Sequence, residues 1–415
     1  MLRMFALLAV ACGGTTPAPA PTPGSGSAEP PEITAMLAQL DQALAQRPDD
    51  GVLLLLRAAY GSEAGRVAET LTAIEKLDAI GWDVPFAPTD FRAVHGEKRF
   101  QTAAARIAAR SPRVTGSELA FTIPGPDLIP EGIAVDEASG TFFVGSIRKR
   151  AIFAIDRDRK VRTFVPARRD GLSAVLGMKV DAARGVLWAT SYASEGMEGY
   201  DAKTDRGRSE VTAFALADGT RRRRAAFPAG GDQHLLNDIA IASDGTLYVT
   251  DSVAGAVWRV PPDRDELEKV LAPGSLAYPN GIVLAPSGKL LVAHGTGIAI
   301  VDPATGTLER MTSPPRTPLG GIDGLLLRGR TLLAVQNGLG VPRLVAIALD
   351  ESGTKATSLT VLENDAALLP LPTTAALYEN ALYTIANAQL DAIGPKGLDA
   401  TKQLRDPQIV RTKIP

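Results

Sequence analysis

The stretch HLLNDIAIASDGTLYVTDS, residues 234–252, holds two short apolar runs, DIAIA and TLYVT, on either side of Ser243, Asp244 and Gly245. Asp-Gly between apolar runs is a strong hairpin signal, because both residues tolerate the positive φ that a tight turn demands. An amide, Asn237, stands where the first run begins. The arrangement returns elsewhere: PEGIAVDEASGTFFVGS begins at Pro130, LGMKVDAARGVLWATS at Leu176 and NGIVLAPSGKLLVAHG at Asn280. DGLLLRGRTLLAVQNG begins at Asp323 and TTAALYENALYTIANAQ at Thr373. Roughly six units thus follow one another at about 43–61 residues, near the period of blade-forming repeats. Further strand-like runs follow, such as GAVWRV from Gly255 and RLVAIAL from Arg343. Four-stranded units repeating about an axis predict a mainly β fold, a six-bladed β-propeller. Several hairpin strands per unit exclude a solenoid. LAFTIPG from Leu119 and QIVRTKI from Gln408 are suited to close the ring by sharing one blade.

One residue per unit falls at the start of the innermost strand: Glu131, Leu176, Asn237, Asn280, Asp323 and Thr373. In a propeller these starts converge on one mouth of the central channel. Glu131, Asn237, Asn280 and Asp323 then bring two carboxylates and two amide oxygens together, a donor set for a hard divalent cation such as Ca²⁺. No Cys or His lies in the column, which argues against a zinc-type site. The competing reading is that each polar residue caps its own turn. The ends of the second strands open at the same mouth, which places Asp251, His294 and Asn337 near the column. An imidazole at His294 is suited to general-base work near neutral pH, and His234 to lining the rim.

Ahead of the repeats the pattern is helical. Ile33, Leu37, Leu40 and Leu44 fall on one face, and Val67, Leu71, Ile74 and Leu77 on another. Residues 32–112 therefore form a small all-α module, followed by a propeller over 118–415. FRAVHGEKRFQTAAARIAAR, from Phe91, reads as a last pair of short helices. The paired order loosely resembles tetratricopeptide hairpins, a module suited to a protein partner. Arg3, a short apolar run and AVAC ending at Cys12 resemble a bacterial lipoprotein signal over residues 1–12. Residues 13–31, rich in Pro, Thr, Ala, Gly and Ser, form a disordered tether behind it. The expectation is an exported protein, held at the cell envelope through a lipid on Cys12. No later run approaches a membrane span. With 44 Lys+Arg against 46 Asp+Glu, the charge balance argues against a nucleic-acid partner. RRRR at 221–224 reads as a solvated loop.

PEGIAVD, NDIAIASDGTLYVTDS, YPNGIVLAPSGKLLVA, GGIDGLLL and ANAQLDAI resemble, in that order, motifs of the SMP-30/gluconolactonase/paraoxonase-like six-bladed propellers. The resemblance runs from about Glu118 to the end. It implies an axial metal, usually Ca²⁺, on Glu131, Asn237, Asn280 and Asp323. It also implies hydrolysis of a lactone, ester or phosphoester, with Asp323 doubling as base or nucleophile and Asp251 as a recurrent acid. Leu176 leaves the second blade silent, and the Arg and extra Asn that sugar-lactone members use on substrate are not found. That speaks against gluconolactonase activity itself and leaves a less polar small-molecule lactone or ester open. The alternative is a non-catalytic exported propeller whose metal is structural and whose rim binds a ligand or protein. Other propeller chemistry, such as strictosidine-synthase-like condensation, is a third course.

Overall fold

Residues 30–228 and 230–414 are described by a computed structural model of the protein. The signal-like segment with Cys12, and the tether up to residue 29, lie outside them. Among the described residues four α-helices come first: α1 (Pro31–Gln46), α2 (Gly51–Glu63), α3 (Val67–Ala79) and α4 (Lys98–Ala109). The first half of the last expected helix pair is only a 3₁₀ turn, Arg92–Val94. Asp50 caps α2, its carboxylate accepting from the N–H groups of Val52 (3.1 Å) and Leu53 (3.2 Å). VLLLL can be apolar all round because α2 is enclosed, packed between α1 and α3 and against the propeller. The module's core, with Leu37, Leu55, Ile74, Leu77 and Ile107, takes in Leu339 from the propeller. None of the described helices is long and apolar enough to cross a membrane.

Six four-stranded antiparallel sheets follow, arranged as a β-propeller. Their innermost strands are Pro130–Asp136, Ala174–Asp181, Leu236–Ile241, Ile282–Leu284, Ile322–Arg328 and Ala375–Tyr378. Each packs on the next around the axis, and the sixth packs on the first. In blade 3 the expected hairpin closes through Asp244, which accepts from the N–H (2.8 Å) and hydroxyl (3.0 Å) of Thr246. Gly245 there takes φ +96. An apolar core fills each junction between neighbouring blades, as where Phe143 and Ile152 of blade 1 meet Val175 and Leu187 of blade 2. Each such side chain contributes about 1.5–3 kcal/mol by leaving water. Both faces of an inner strand meet neighbours, so these strands are apolar nearly throughout. The sixth blade joins the two ends: Ala375–Tyr378, Ala381–Ile385, Gln408–Lys413, and Ser117–Thr122 outermost.

RRRR is not a loop. It opens Arg221–Phe227, the outermost strand of blade 2. Arg223 binds Asp265 (2.8 Å) and Arg224 binds Glu210 (2.6 Å). Charged side chains on an edge strand discourage pairing with another chain.

The helical module docks on blades 4 and 5. Asp50 also binds Arg310 of blade 4 (2.9 Å), and Arg47 holds the same oxygen (2.7 Å). Val341 N–H donates to the Pro85 carbonyl (2.8 Å) beside Gly340, at φ +143, where any Cβ would strike that carbonyl. Val52 lies against Gly320, in the segment leading into the innermost strand of blade 5. The module therefore sits on the face where the innermost strands begin.

Candidate axial site

A recurring irregularity builds the site. In blades 1, 2, 3 and 5 the strand register slips at the column position and its successor: Glu131–Gly132, Leu176–Gly177, Asn237–Asp238 and Asp323–Gly324. In blades 4 and 6 the same pair, Asn280–Gly281 and Thr373–Thr374, precedes the first paired residue. Bulges re-aim side chains, here out of the ladder. The pairs then interlock around the axis. Thr190 Oγ1 donates to the Asn237 carbonyl (2.5 Å) and Thr250 Oγ1 to that of Asn280 (2.8 Å). Gly281 N–H donates to the Asp323 carbonyl (2.9 Å) and Gly324 N–H to that of Thr373 (3.2 Å). The hydroxyls of Thr373 (2.9 Å) and Thr374 (2.6 Å) donate to the Glu131 carbonyl. Gly132 abuts the Leu176 carbonyl, which completes the circuit. Residues as far apart as 131 and 373 are thereby held in one annulus.

The side chains at this annulus are buried: Glu131, Asn237 and Asp323 are each 5% exposed and Asn280 7%. Their amide nitrogens are spent on the protein. Asn237 Nδ2 donates to Ser252 Oγ (2.9 Å), which donates to the Pro279 carbonyl (2.6 Å). Asn280 Nδ2 donates to Asp323 Oδ1 (2.7 Å) and Asn337 Nδ2 to Asp323 Oδ2 (2.6 Å). Four buried oxygens remain without a donor: Glu131 Oε2, Asn237 Oδ1, Asn280 Oδ1 and Asn337 Oδ1. Unsatisfied buried acceptors cost about 1–3 kcal/mol each, so four at one mouth call for a shared partner. Burial, then Asp323 and Asp238, push the Glu131 carboxyl well above its ordinary range. Burial raises Asp323 to about 7, against the Asn337 and Asn280 hydrogen bonds that lower it. Burial also raises Asp238, with Lys179 opposing. Oxygens of this kind suit a hard divalent cation, which would take further oxygens to fill its shell and would relieve the crowding of the carboxylates. Among the described residues no three His, Cys, Asp or Glu side chains form a metal cluster on their own, so amide oxygens are needed to complete any set.

The blade-2 side of the mouth is apolar. Leu176 packs with Ile129, Ile147, Met197 and Leu235, and with the partly buried Tyr192. Burial pushes the Tyr192 hydroxyl up to about 12.

The other candidates divide. Asn337 joins the annulus through Asp323; from sequence it was only a neighbour, because its strand end carries no mark of the bond it makes. Asp251 is fully buried, and its oxygens accept from His234 Nδ1 (2.6 Å), Leu235 N–H (2.9 Å), Ala254 N–H (3.1 Å) and Trp258 Nε1 (3.1 Å). It is a clamp for His234, whose ring stacks on Phe227 at 3.6 Å. Neither contacts an annulus side chain, although Ser252, next to Asp251, orients Asn237. Among the described residues the His294 ring makes a single, long hydrogen-bond contact, 3.5 Å from Thr296 Oγ1. Burial, then Arg310 and Arg47, lower its pKa to about 4. The ring is thus neutral at pH 7 and a weaker base than an ordinary histidine.

That shift has a sign. A histidine lowered from 6.5 to about 4 on folding costs nothing above pH 6.5, and stability is lost as pH falls toward 4. By pH 4.5 the expected loss is on the order of 2 kcal/mol. In His294→Gln this component of acid destabilisation should vanish from denaturant melts at pH 7 and 4.5. Equal acid sensitivity of both proteins would show that His294 is not held neutral.

Fold and annulus together define a six-bladed propeller with a carboxylate–amide ring at one mouth. No protein-family model matches the chain, and no curated protein matches it. Solved structures do resemble it. A luciferin-regenerating enzyme superposes with a TM-score of 0.50 at 14% identity, over 72% of this chain and 95% of that one. A gluconolactonase from Xanthomonas campestris gives 0.48 at 18%, over 74% and 93%. A virginiamycin B lyase from Staphylococcus aureus gives 0.46 at 13%, over 72% and all (100%) of that chain. At such identities the likeness is one of fold.

Proposed function

We propose that the protein is a calcium-dependent hydrolase of lactones or esters working at the axial annulus. The observation that carries this reading is the set of four donorless buried oxygens around Asp323. Glu131, Asn237, Asn280 and Asp323 would hold the ion, with Asn337 beside them. When bound, the ion supplies Lewis-acid polarisation of the acyl oxygen. Asn280 and Asn337 fix both oxygens of Asp323, so its remaining lone pairs have a set direction. Held in this way at the ring, Asp323 is placed to take a proton from the attacking water. Water oxygen bonds to the acyl carbon, the ester C–O bond breaks, and the proton passes from Asp323 to the departing alkoxide. Leu176 and its apolar neighbours accept an apolar substituent and exclude bulk water.

A small panel of lactones, aryl esters and phosphotriesters tests the proposal, each assayed with calcium, with chelator, and with calcium restored. Turnover should fall at least about 100-fold in chelator and return with calcium. No hydrolysis of any member with calcium present hands the site to a second reading, a binding propeller with a structural ion. The docking of the helical module on the mouth face favours that second reading, because it offers a protein surface beside the ring.

A further inference from the structure

The junction between helical module and propeller contains a cavity of about 150 Å³ that includes Pro85, Ser111, Arg113, Arg343 and Asp365 in its lining. Arg343 begins Arg343–Leu349, the third strand of blade 5. It is 2% exposed, although arginine is almost never buried without a partner. Its Nε donates to Gln336 Oε1 (2.7 Å), and Gln336 is fixed by the Pro318 (2.9 Å) and Gly320 (2.8 Å) carbonyls. Its Nη1 lies 3.7 Å from Asp83, too far for a hydrogen bond. Its Nη2 is buried without any acceptor. Burial lowers the pKa of this guanidinium, and Asp83 is the one carboxylate opposing that. The second arginine of the cavity, Arg113, is paired with Asp365, so that carboxylate is already neutralised. Ser111 adds a hydroxyl.

We propose that this cavity is a binding site for a compact oxyanion, which pairs with the Arg343 guanidinium and ties the helical module to blade 5. Its volume is below that of pockets for drug-sized ligands, which restricts the occupant to an ion of phosphate, sulfate or carboxylate size. A buried charge whose ion pair is as loose as that with Asp83 is costly, and an anion beside it turns that cost into a charge-assisted hydrogen bond. The site is separate from the axial annulus and does not depend on hydrolysis.

Thermal melts of the full chain test it, in inorganic phosphate, sulfate and acetate, against chloride at matched ionic strength. Wild type should melt several degrees higher in a saturable manner with at least one oxyanion. A preference for phosphate and sulfate over acetate identifies a tetrahedral site, and the reverse a carboxylate site. Arg343→Gln should weaken that affinity about tenfold or more. Arg343→Met should melt at or above wild type in chloride and below it in saturating oxyanion, since it removes a buried charge that Asp83 pairs only loosely. Phosphate bound at the axial ring would still act in these variants, so a full response in Arg343→Gln overturns the proposal. A wild-type response no different from chloride also overturns it. If neither Arg343 variant folds, Arg113→Gln, on an exposed side chain, should still lower affinity several-fold. Crystals grown in phosphate should show the anion at Arg343, and water alone there would sink the idea.

Discussion

Asp323→Asn is expected to leave a folded propeller that holds calcium at least about 100-fold more weakly and loses most turnover. Three effects add. The change removes one of the two negative charges of the proposed ligand set. It removes the proton acceptor. It also sets an amide nitrogen against Asn280 Nδ2 or Asn337 Nδ2, both of which now donate to the carboxylate at 2.7 and 2.6 Å. One of those two donors would lose its acceptor, and the ring would reorient. Folding is spared because a carboxyl whose pKa burial raises gains from losing its charge. Titration calorimetry with calcium, circular dichroism and the substrate panel read the three effects separately. Unchanged calcium affinity in a well-folded variant would remove Asp323 from the ligand set.

Gly132→Ala is expected to destabilise the protein by about 3 kcal/mol or more, or to prevent folding. A Cβ there would lie 1.9 Å from the Leu176 carbonyl oxygen and 2.8 Å from its carbon. Both are backbone atoms of the neighbouring innermost strand and cannot swing aside. Relief requires blades 1 and 2 to part, which breaks the annulus where it carries Glu131. Gly96→Ala is the control, because nothing lies within 4 Å of its Cβ position and its φ is ordinary. It should stay within about 0.5 kcal/mol of wild type. Denaturant melts of the two variants settle the matter, and equal stabilities would disprove the close-approach account.

The propeller was readable because its signals are local and repeated. Asp244-Gly245 marks a turn without help from distant residues, and six copies exclude coincidence. The column's place at the starts of the inner strands was readable for the same reason. The bulge was not, since Glu131-Gly132 looks like any strand start until its partner strand is known. The fate of Asp251 was hidden too: VTDS says where the carboxylate stands, not that His234 and Trp258 will consume it. His294 looked like a base because the sequence does not show Arg310 and Arg47 nearby. RRRR looked like a loop because charge was weighed above strand spacing. Docking of the module was invisible, as Asp50 and Arg310 meet across 260 residues. No pattern in RLVAIAL announces a buried arginine nitrogen without an acceptor.

The blade shared between Ser117–Thr122 and Gln408–Lys413 sets an order on synthesis. Five blades are meanders that can zip soon after each leaves the ribosome. The strand at Ser117 cannot, because its mate lies nearly at the chain's end. At 5–20 residues per second it waits roughly 15–60 s as an open edge. During that interval the nascent chain is a horseshoe, exposed to pairing with a neighbour. A message truncated before Gln408 would leave Ser117–Thr122 permanently without a mate, an orphan edge beside a ring that Thr373 and Thr374 can still close onto Glu131.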